Sequence, residues 1–148
     1  MPDLSLLDSA DQAISTTAPG TDWTCQWRGE ACVQLSMPGI ARARLSHLPG
    51  CAAGLILHGL RVEEAHRGRG YGRTAIVLQL ATARHYGARL LMTTVNTWDS
   101  PIALHLLRRS GFANSAHYVN SRGQQVDLLT YSPTWGQDPS PADPLPAD

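Results

Sequence analysis

The sequence predicts one domain of the α+β class, with a mixed α/β arrangement of helices around a central sheet. Its 148 residues suit a single ordinary domain with a core of its own. Apolar residues make up 43% and charged residues 16%, a balance typical of globular chains. A strand-rich beginning is followed by strand and helix signals in the order β-α-β-α-β-β, which indicates a mixed sheet with flanking helices.

The two ends of the chain differ from its middle. Residues 1–20 carry acids without bases, and their LSLLDSADQAI stretch allows a short helix that ends before Thr16. Residues 21–131 form the predicted domain. Residues 132–148 hold five of the ten prolines and three Asp without a base, so we expect a disordered acidic tail.

Turn residues and hydrophobic periodicity divide the middle into elements. Ala53–Val62 is the most apolar predicted strand and is therefore expected at the centre of the sheet. A helix over Tyr71–Tyr86 ends at Gly87, which suits a left-handed cap. A second helix, Ile102–Arg109, follows Ser100 as N-cap and Pro101 as first residue. The other predicted strands are Trp23–Arg28, Ala31–Met37, Ile40–Leu48, Leu90–Asn96, His117–Asn120 and Val126–Tyr131.

Composition excludes several classes of protein. No apolar run approaches the ~20 residues of a membrane-spanning helix. The first residues are acidic where a signal peptide is basic, so a cytoplasmic protein is expected. Three cysteines without CxxC spacing predict neither a disulfide framework nor a zinc site, and the histidines form no HExxH pattern, so no metal is predicted.

Positive charge is concentrated in residues 23–131. All twelve bases are Arg, and only five acids accompany them there, a net charge of +7. Such a centre suits an anionic ligand, either a phosphate-bearing cofactor or a nucleic acid, although solvated surface arginines would give the same count.

A glycine-rich loop, RGRGYG at Arg67–Gly72, lies between the central strand and the helix that follows. Glycines let backbone N–H groups approach an oxyanion, and a helix N-terminus favours negative charge, so phosphate is the natural ligand. The chain has no lysine for a P-loop, and its G-x-G-x-G spacing does not match the dinucleotide pattern G-x-G-x-x-G.

These residues resemble the GNAT superfamily of acyl-CoA-dependent N-acyltransferases. The family signature Arg/Gln-x-x-Gly-x-Gly/Ala stands here as Arg67–Gly72, after the lead-in Leu60-Arg61-Val62. A second family element, Asn-x-x-Ala-x-x-Leu-Tyr-x-x-x-Gly-Phe, appears as Ser100–Phe112. The resemblance covers about residues 52–131 and implies a mixed central sheet with flanking helices and a short N-terminal helical part.

The resemblance also implies the cofactor and its binding residues. The cofactor would be acetyl-CoA or another acyl-CoA, with its pyrophosphate on the N–H groups of Arg69–Arg73. Its pantetheine arm would pair with the backbone of Leu60, Arg61 and Val62. The full set implied for the cofactor is Leu60, Arg61, Val62, Arg67, Gly68, Arg69, Gly70, Tyr71, Gly72, Arg73 and Ser100.

Three positions depart from the family pattern, the first being Glu64 in place of the proline of the Val-x-Pro-x-x-Arg lead-in. Ser100 replaces the usual Asn, and Leu107 replaces the Tyr that often protonates the departing thiolate. Leucine has no proton to give, so water would supply it, unless Tyr118 or Tyr131 of the predicted closing hairpin reaches the sulfur.

His58 is the candidate general base. It lies on the central strand four residues before Val62, and an imidazole with an ordinary pKa of ~6.5 suits removal of an amine proton. A core histidine with a satisfied hydrogen bond is the alternative. Glu63 and Glu64 are further candidates, although charged residues beside a loop are mostly solvated.

The sequence therefore predicts an N-acetyltransferase that moves an acetyl or related acyl group from acyl-CoA to a primary amine by direct transfer. The acceptor would be a small molecule or a peptide, and the enzyme a monomer or homodimer. Two alternatives remain: a GNAT-fold module that binds CoA without turnover, and a GNAT-like protein that acts on nucleic acid.

Overall fold

The computed structural model describes residues 4–29, 31–96 and 101–133. These residues form three α-helices, one 3-10 turn and seven strands. The helices are α1 (Leu4–Thr17), α2 (Tyr71–Tyr86) and α3 (Pro101–Arg109), and the 3-10 turn spans Glu64–His66. The strands are β1 (Thr24–Trp27), β2 (Cys32–Met37), β3 (Ala41–His47), β4 (Gly54–Val62), β5 (Leu90–Asn96), β6 (Ala113–Val119) and β7 (Gln125–Tyr131).

All seven strands belong to one mixed sheet in the order β1-β2-β3-β4-β5-β7-β6. Strands β4 and β5 run parallel, and every other neighbouring pair is antiparallel. The apolar β4 is the middle strand, as its composition predicts. The observed α+β architecture confirms the predicted fold class.

Strands β2, β3 and β4 present one apolar and one polar face. Leu45 pairs with Leu57, and Val33 with Leu45, and all three are buried in the core beneath α1 and α2. The opposite face, here called the polar face, turns away from that core because side chains alternate along a strand. It carries the polar residues Gln34, Ser36, Arg42, Arg44, Ser46 and His58, with Ile56 opposite Ser46.

Most predicted elements match the observed bounds, with three differences. Helix α1 continues to Thr17 instead of ending before Thr16. A 3-10 turn at Glu64–His66 follows β4, where only a loop is expected. Strand β6 begins at Ala113 rather than His117, since its polar, exposed edge-strand sequence carries no apolar alternation. Ser100 and residues 134–148 of the predicted tail lie outside the described residues.

Smaller features follow the chemistry of the sequence. Gly87 caps α2 in the left-handed conformation, as predicted. The three cysteines form no disulfide, and burial, with help from Asp11 and Asp8, raises the pKa of Cys25 to about 11. Among the helices described, none combines the length and the hydropathy that a membrane crossing requires.

Candidate active site

Strands β4 and β5 pair at one end and separate at the other. Their parallel ladder runs from Gly54 with Leu90 to Leu57 with Thr93 and then ends, although both strands continue. The Thr93 hydroxyl donates to Leu57 O at 2.8 Å, so a side chain closes the ladder. Beyond this point lies an opening in the sheet, here called the β4–β5 gap.

A β-bulge in β4 lies at the start of this gap. Arg44 pairs with His58 and Arg42 with Arg61, so two residues of β4, Gly59 and Leu60, stand opposite one residue of β3. Gly59 has φ +67°, and a Cβ there would lie 3.0 Å from Arg44 Cδ. Glycine suits this position because it adopts a positive φ without strain and leaves room for the Arg44 side chain.

The peptide group of Val62 faces the gap. The Glu63 N–H donates to Ile40 O on the β3 side at 2.8 Å, so strand alternation turns the Val62 N–H to the other side. The Val62 carbonyl accepts a hydrogen bond from Arg67 Nε at 3.2 Å. This bond holds the glycine-rich loop against the end of β4.

The loop itself leads directly into α2. Gly68 and Gly70 have φ values of +78° and +87°, and a Cβ at either position would meet nothing within 4 Å. Gly70 precedes the first residue of α2 and offers no side-chain cap to the first N–H groups of the helix. Arg67, Arg69 and Arg73 are exposed around them. The N–H groups of a helix's first turn, open space and guanidinium charge fit the diphosphate of a CoA molecule.

Two cavities meet along this part of the molecule. The larger, of about 680 Å³, is lined by the end of β4, the loop and the start of α2. The smaller, of about 230 Å³, occupies the β4–β5 gap. Both are lined by Leu60, Ile76 and Ala103, so they form one continuous cleft. The residues that line only the smaller cavity are Leu57, His58, Gly59, Gln79, Thr93, Thr94, Val95 and Leu107.

His58 lines the gap, and its side chain belongs to the polar face. Its Nε2 lies 2.6 Å from Ser46 Oγ, a hydrogen bond that fixes the ring. Gln79 of α2 donates to Arg44 O at 2.9 Å and to His58 O at 3.3 Å, and so holds both strands at the bulge. Burial, and secondarily the positive charge of Arg44, lower the pKa of His58 below its ordinary value of 6.5. The imidazole is therefore neutral at pH 7 and able to accept a proton.

The model of the acetyltransferase (GNAT) family matches residues 26–112, more than half of the chain. The chain belongs to this family. The match includes the bulge, the β4–β5 gap, the glycine-rich loop and α3, and it confirms the family that the two sequence motifs predict. No curated protein sequence matches the chain significantly.

Solved structures of other GNAT proteins share the fold. Nourseothricin acetyltransferase is 24% identical with a TM-score of 0.52, over 68% of this chain and 64% of that one. A mutant spermidine N-acetyltransferase SpeG from Vibrio cholerae is 20% identical with a TM-score of 0.58, over 71% of this chain and 68% of that one. A GNAT acetyltransferase from Elizabethkingia anophelis, with acetyl-CoA bound, is 15% identical with a TM-score of 0.54, over 68% of this chain and 74% of that one.

The structure brings most of the predicted GNAT site residues together. Leu60, Arg61 and Val62 line the larger cavity beside every residue of the Arg67–Arg73 loop except Arg69, which is exposed beside it. Leu107 is buried and lines the gap, where the family pattern has Tyr. Ser100, the remaining predicted cofactor residue, lies outside the described residues.

Four other predicted candidates line neither cavity. Tyr118 is half exposed on the edge strand, and the Tyr131 ring packs against Phe112 with centroids 5.4 Å apart. Glu63 pairs with Arg61 at 3.3 Å, and Glu64 is an exposed residue of the 3-10 turn. None of these four side chains lines the gap.

Sequence reasoning missed four residues of this GNAT site: Ser46, Gly59, Gln79 and Thr93. Two of them carry a recognisable signal. A glycine inside an otherwise apolar strand indicates a bulge, which is what Gly59 forms. Gln79 lies between Ile76 and Leu80 on the buried side of α2, and a buried polar side chain requires a hydrogen-bond partner. Ser46 and Thr93 stand at ordinary strand positions and give no signal in one sequence.

Proposed function

We propose that this protein is an N-acetyltransferase that moves an acetyl group from acetyl-CoA to a primary amine by direct transfer. The observation that carries the proposal is the β4–β5 gap, because it joins the glycine-rich loop on one side to His58 on the other. A thioester held from the loop side and an amine held from the His58 side would meet in this gap. Proximity of that kind contributes on the order of 7–11 kcal/mol to a bimolecular reaction.

The loop and the β4 backbone would hold the cofactor. N–H groups of Arg69–Arg73, at the N-terminus of α2, would donate to the diphosphate, with guanidinium charge from Arg67 and Arg73 beside them. The backbone of Leu60–Val62 would pair with the amide groups of the pantetheine arm. When bound, acetyl-CoA supplies an acetyl group activated as a thioester.

The β4 backbone would also stabilise charge in the transition state. The Val62 N–H is turned toward the gap and has no β5 partner among the described residues, and an N–H placed there can donate to a developing oxyanion. The bulge at Gly59–Leu60 supports this role. It places one extra residue in β4 and so changes which of the following peptide groups, Val62 included, face β3 and which face the gap.

His58 would serve as the general base. With Nε2–H donating to Ser46 Oγ, Nδ1 would be the nitrogen that accepts the amine proton, directly or through a water molecule. A pKa lowered by burial and by Arg44 keeps the ring unprotonated at neutral pH. Leu107 supplies no acid, so the thiolate would leave unprotonated and take its proton from water, since a free thiol has a pKa near ~8.5.

Two measurements test the proposal. Calorimetry with acetyl-CoA tests the loop, and release of CoA thiol over a panel of primary amines tests transfer. We expect binding with thiol release that depends on an amine. Binding without release for any amine would support the second candidate, a CoA-binding module without turnover, which Leu107 favours. Absence of binding would overturn both.

A further inference from the structure

The charge of the polar face bears on the acceptor. Strands β1 to β4 contain no Asp or Glu, whereas Arg42 and Arg44 project from β3 on the same face as His58. We infer that the acceptor is an amine that carries an anionic group, a carboxylate or a phosphate, held by Arg42 and Arg44 while the amine reaches His58. This inference rests on the proposed transferase function and adds the substrate class to it.

Arg44 is the better defined of the two arginines. It stands directly opposite His58, and its side chain packs over Gly59 at the start of the gap. Its Nε donates to Gln34 Oε1 at 2.9 Å, and Gln34 is only 8% exposed. A buried amide therefore fixes the guanidinium. No carboxylate among the described residues pairs with Arg44, so its terminal N–H groups remain available to an anion. The planar guanidinium suits a carboxylate or a phosphate because its N–H groups match two oxygens of such a group.

Arg42 faces another arginine, and a bound anion would reduce the repulsion between their charges. It stands directly opposite Arg61 in the β3–β4 ladder, and like charges directly opposite in a sheet destabilise it. Glu63 pairs with Arg61 at 3.3 Å, whereas Arg42 has no ion pair with any described residue. Two neighbouring guanidiniums, one fixed and one unpaired, thus flank the base on the acceptor side of the gap.

The same charges disfavour a polyamine acceptor. A second ammonium group needs a carboxylate nearby, and a cation placed beside Arg42 and Arg44 would instead be repelled. The amine of the preferred acceptor is therefore expected to carry its anionic group within the reach of one guanidinium, as in an amino acid or an amino phosphate.

Matched acceptors test the inference. Thiol release is measured for tyrosine against tyramine, for phosphoethanolamine against ethanolamine, and for spermidine. We expect kcat/KM to be at least ~10-fold higher for the anionic member of at least one pair, with spermidine the poorest, since one hydrogen-bonded ion pair with a guanidinium is enough for that difference. The two pairs separate carboxylate from phosphate. The inference would be overturned if the anionic member were preferred in neither pair, or if spermidine were the best acceptor.

Variants separate the arginines from the intrinsic reactivity of the amines. Arg42→Gln should reduce kcat/KM for the anionic acceptor about 10-fold and leave its neutral partner and acetyl-CoA affinity unchanged. Arg44→Gln should reduce kcat/KM about 10-fold more for the anionic acceptor than for its neutral partner, because Arg44 also acts on the pKa of His58 and so affects both acceptors. Arg122→Gln, at an exposed turn between β6 and β7, is the control and should change none of these values. Equal losses for both members of a pair would show that the arginines act only on structure.

A binding measurement keeps this inference separate from the proposed transferase activity. Calorimetry compares N-acetyltyrosine with N-acetyltyramine on the CoA-loaded protein and requires no turnover. Equal affinities, or tighter binding of N-acetyltyramine, would exclude a carboxylate site, and the same result for N-acetylphosphoethanolamine against N-acetylethanolamine would overturn the anionic site altogether. Tighter binding of N-acetyltyrosine without thiol release from any amine would leave the site in place and overturn the transferase function.

Discussion

The two halves of β4 have opposite roles. Gly54–Leu57 pairs with β3 on one side and with β5 on the other, and its Leu55 and Leu57 are buried in the core. His58–Val62 keeps β3 but loses β5, contains the bulge, and lines both cavities. One strand thus provides the centre of the core and, immediately afterwards, the backbone groups and the histidine that we propose take part in the chemistry.

The difference between the halves comes from where pairing stops. A fully paired strand has no free peptide groups, whereas a strand that loses one neighbour exposes N–H groups that can bind a ligand. The Thr93 hydroxyl ends the ladder and Gly59 changes the register within two residues of Leu57. Substitutions in the first half should therefore affect stability, and those in the second half should affect binding or turnover.

Leu55→Ala should have the largest effect and should act on stability alone. Leu55 is fully buried, and removal of a buried leucine side chain costs about 2–5 kcal/mol in the free energy of unfolding. Urea denaturation measures this loss. The kcat of the folded enzyme should stay within a few-fold of wild type. A large loss of kcat with unchanged stability would contradict the division of β4 into two halves.

His58→Ala should show the reverse pattern. We expect kcat to fall by about 10²-fold or more, the low end for general base catalysis, with the KM for acetyl-CoA little changed. Steady-state kinetics over an amine concentration series measures both. His85→Ala, at the exposed end of α2, is the matched control. A kcat near that of wild type would return His58 to the role of a core histidine with a satisfied hydrogen bond.

The pH dependence follows from the lowered pKa of His58. If the base must be neutral, kcat rises with pH through that pKa, so the half-maximal point of the rise lies below the ordinary histidine value of ~6.5. The same shift makes neutral His58 the form that the fold favours. The stability it contributes is present above the unfolded-state pKa and is lost as pH falls through the folded-state pKa. His58→Gln should flatten both profiles.

Gly70→Asp should weaken the cofactor site without affecting the core. A carboxylate at the N-terminus of α2 would lie where diphosphate oxygens are expected, so we predict that CoA affinity falls at least ~10-fold, or ~1.4 kcal/mol. Gly123→Asp is the matched control, because Gly123 also has a positive φ and open space around it. Calorimetry that gives both variants the same CoA affinity would contradict the assignment of the loop.

The sequence predicts well those features of the protein that depend on residues close together in the chain. The apolar run of β4, the amphipathic repeat of α2 and the Gly87 cap are local patterns, and each matches the observed element. The RGRGYG loop and the Ser100–Phe112 stretch predict the family because two motifs in order are more specific than one. By contrast, β6 is an exposed edge strand without apolar alternation, so its first four residues carry no signal.

The parts of the site that sequence reasoning missed depend on pairing between distant residues. Ser46 reaches His58 only because β3 and β4 are in one particular register, and Gln79 meets His58 O only after α2 packs across both strands. Thr93 closes the ladder from a strand 36 residues away in the chain. The register between two strands is fixed by the packing of the whole core, so it cannot be derived from the local sequence of either strand.

Gly59→Ala should strain the second half of β4 and lower the free energy of unfolding. A left-handed conformation costs a residue with a Cβ about 1–2 kcal/mol, and the new Cβ would also approach Arg44 Cδ at 3.0 Å. Gly123→Ala carries the same conformational cost in open space, so the difference between the two unfolding free energies isolates the contact with Arg44. Equal losses would show that the bulge tolerates a side chain.

Leu107→Tyr should produce the smallest effect and tests the absence of an acid. Leu107 is 4% exposed and lines the gap beside Leu57, so a hydroxyl there either meets the departing sulfur or stays unpaired. If the enzyme works without an acid, Tyr should leave kcat intact or raise it a few-fold. If the gap instead requires an apolar side chain at this position, the buried hydroxyl has no hydrogen-bond partner. That costs about 1–3 kcal/mol, and binding of acetyl-CoA or of the acceptor weakens.

Leu107→Phe is the control that separates the hydroxyl from the volume of the ring. A kcat that rises with Tyr but not with Phe identifies proton donation as the gain, because the two rings fill the same space. Equal losses with Tyr and Phe identify crowding, which would mean that Leu107 shapes the gap for an apolar group. Activity in Leu107→Tyr that vanishes on Tyr118→Phe would instead place an acid on the edge hairpin, against the separation of Tyr118 from both cavities.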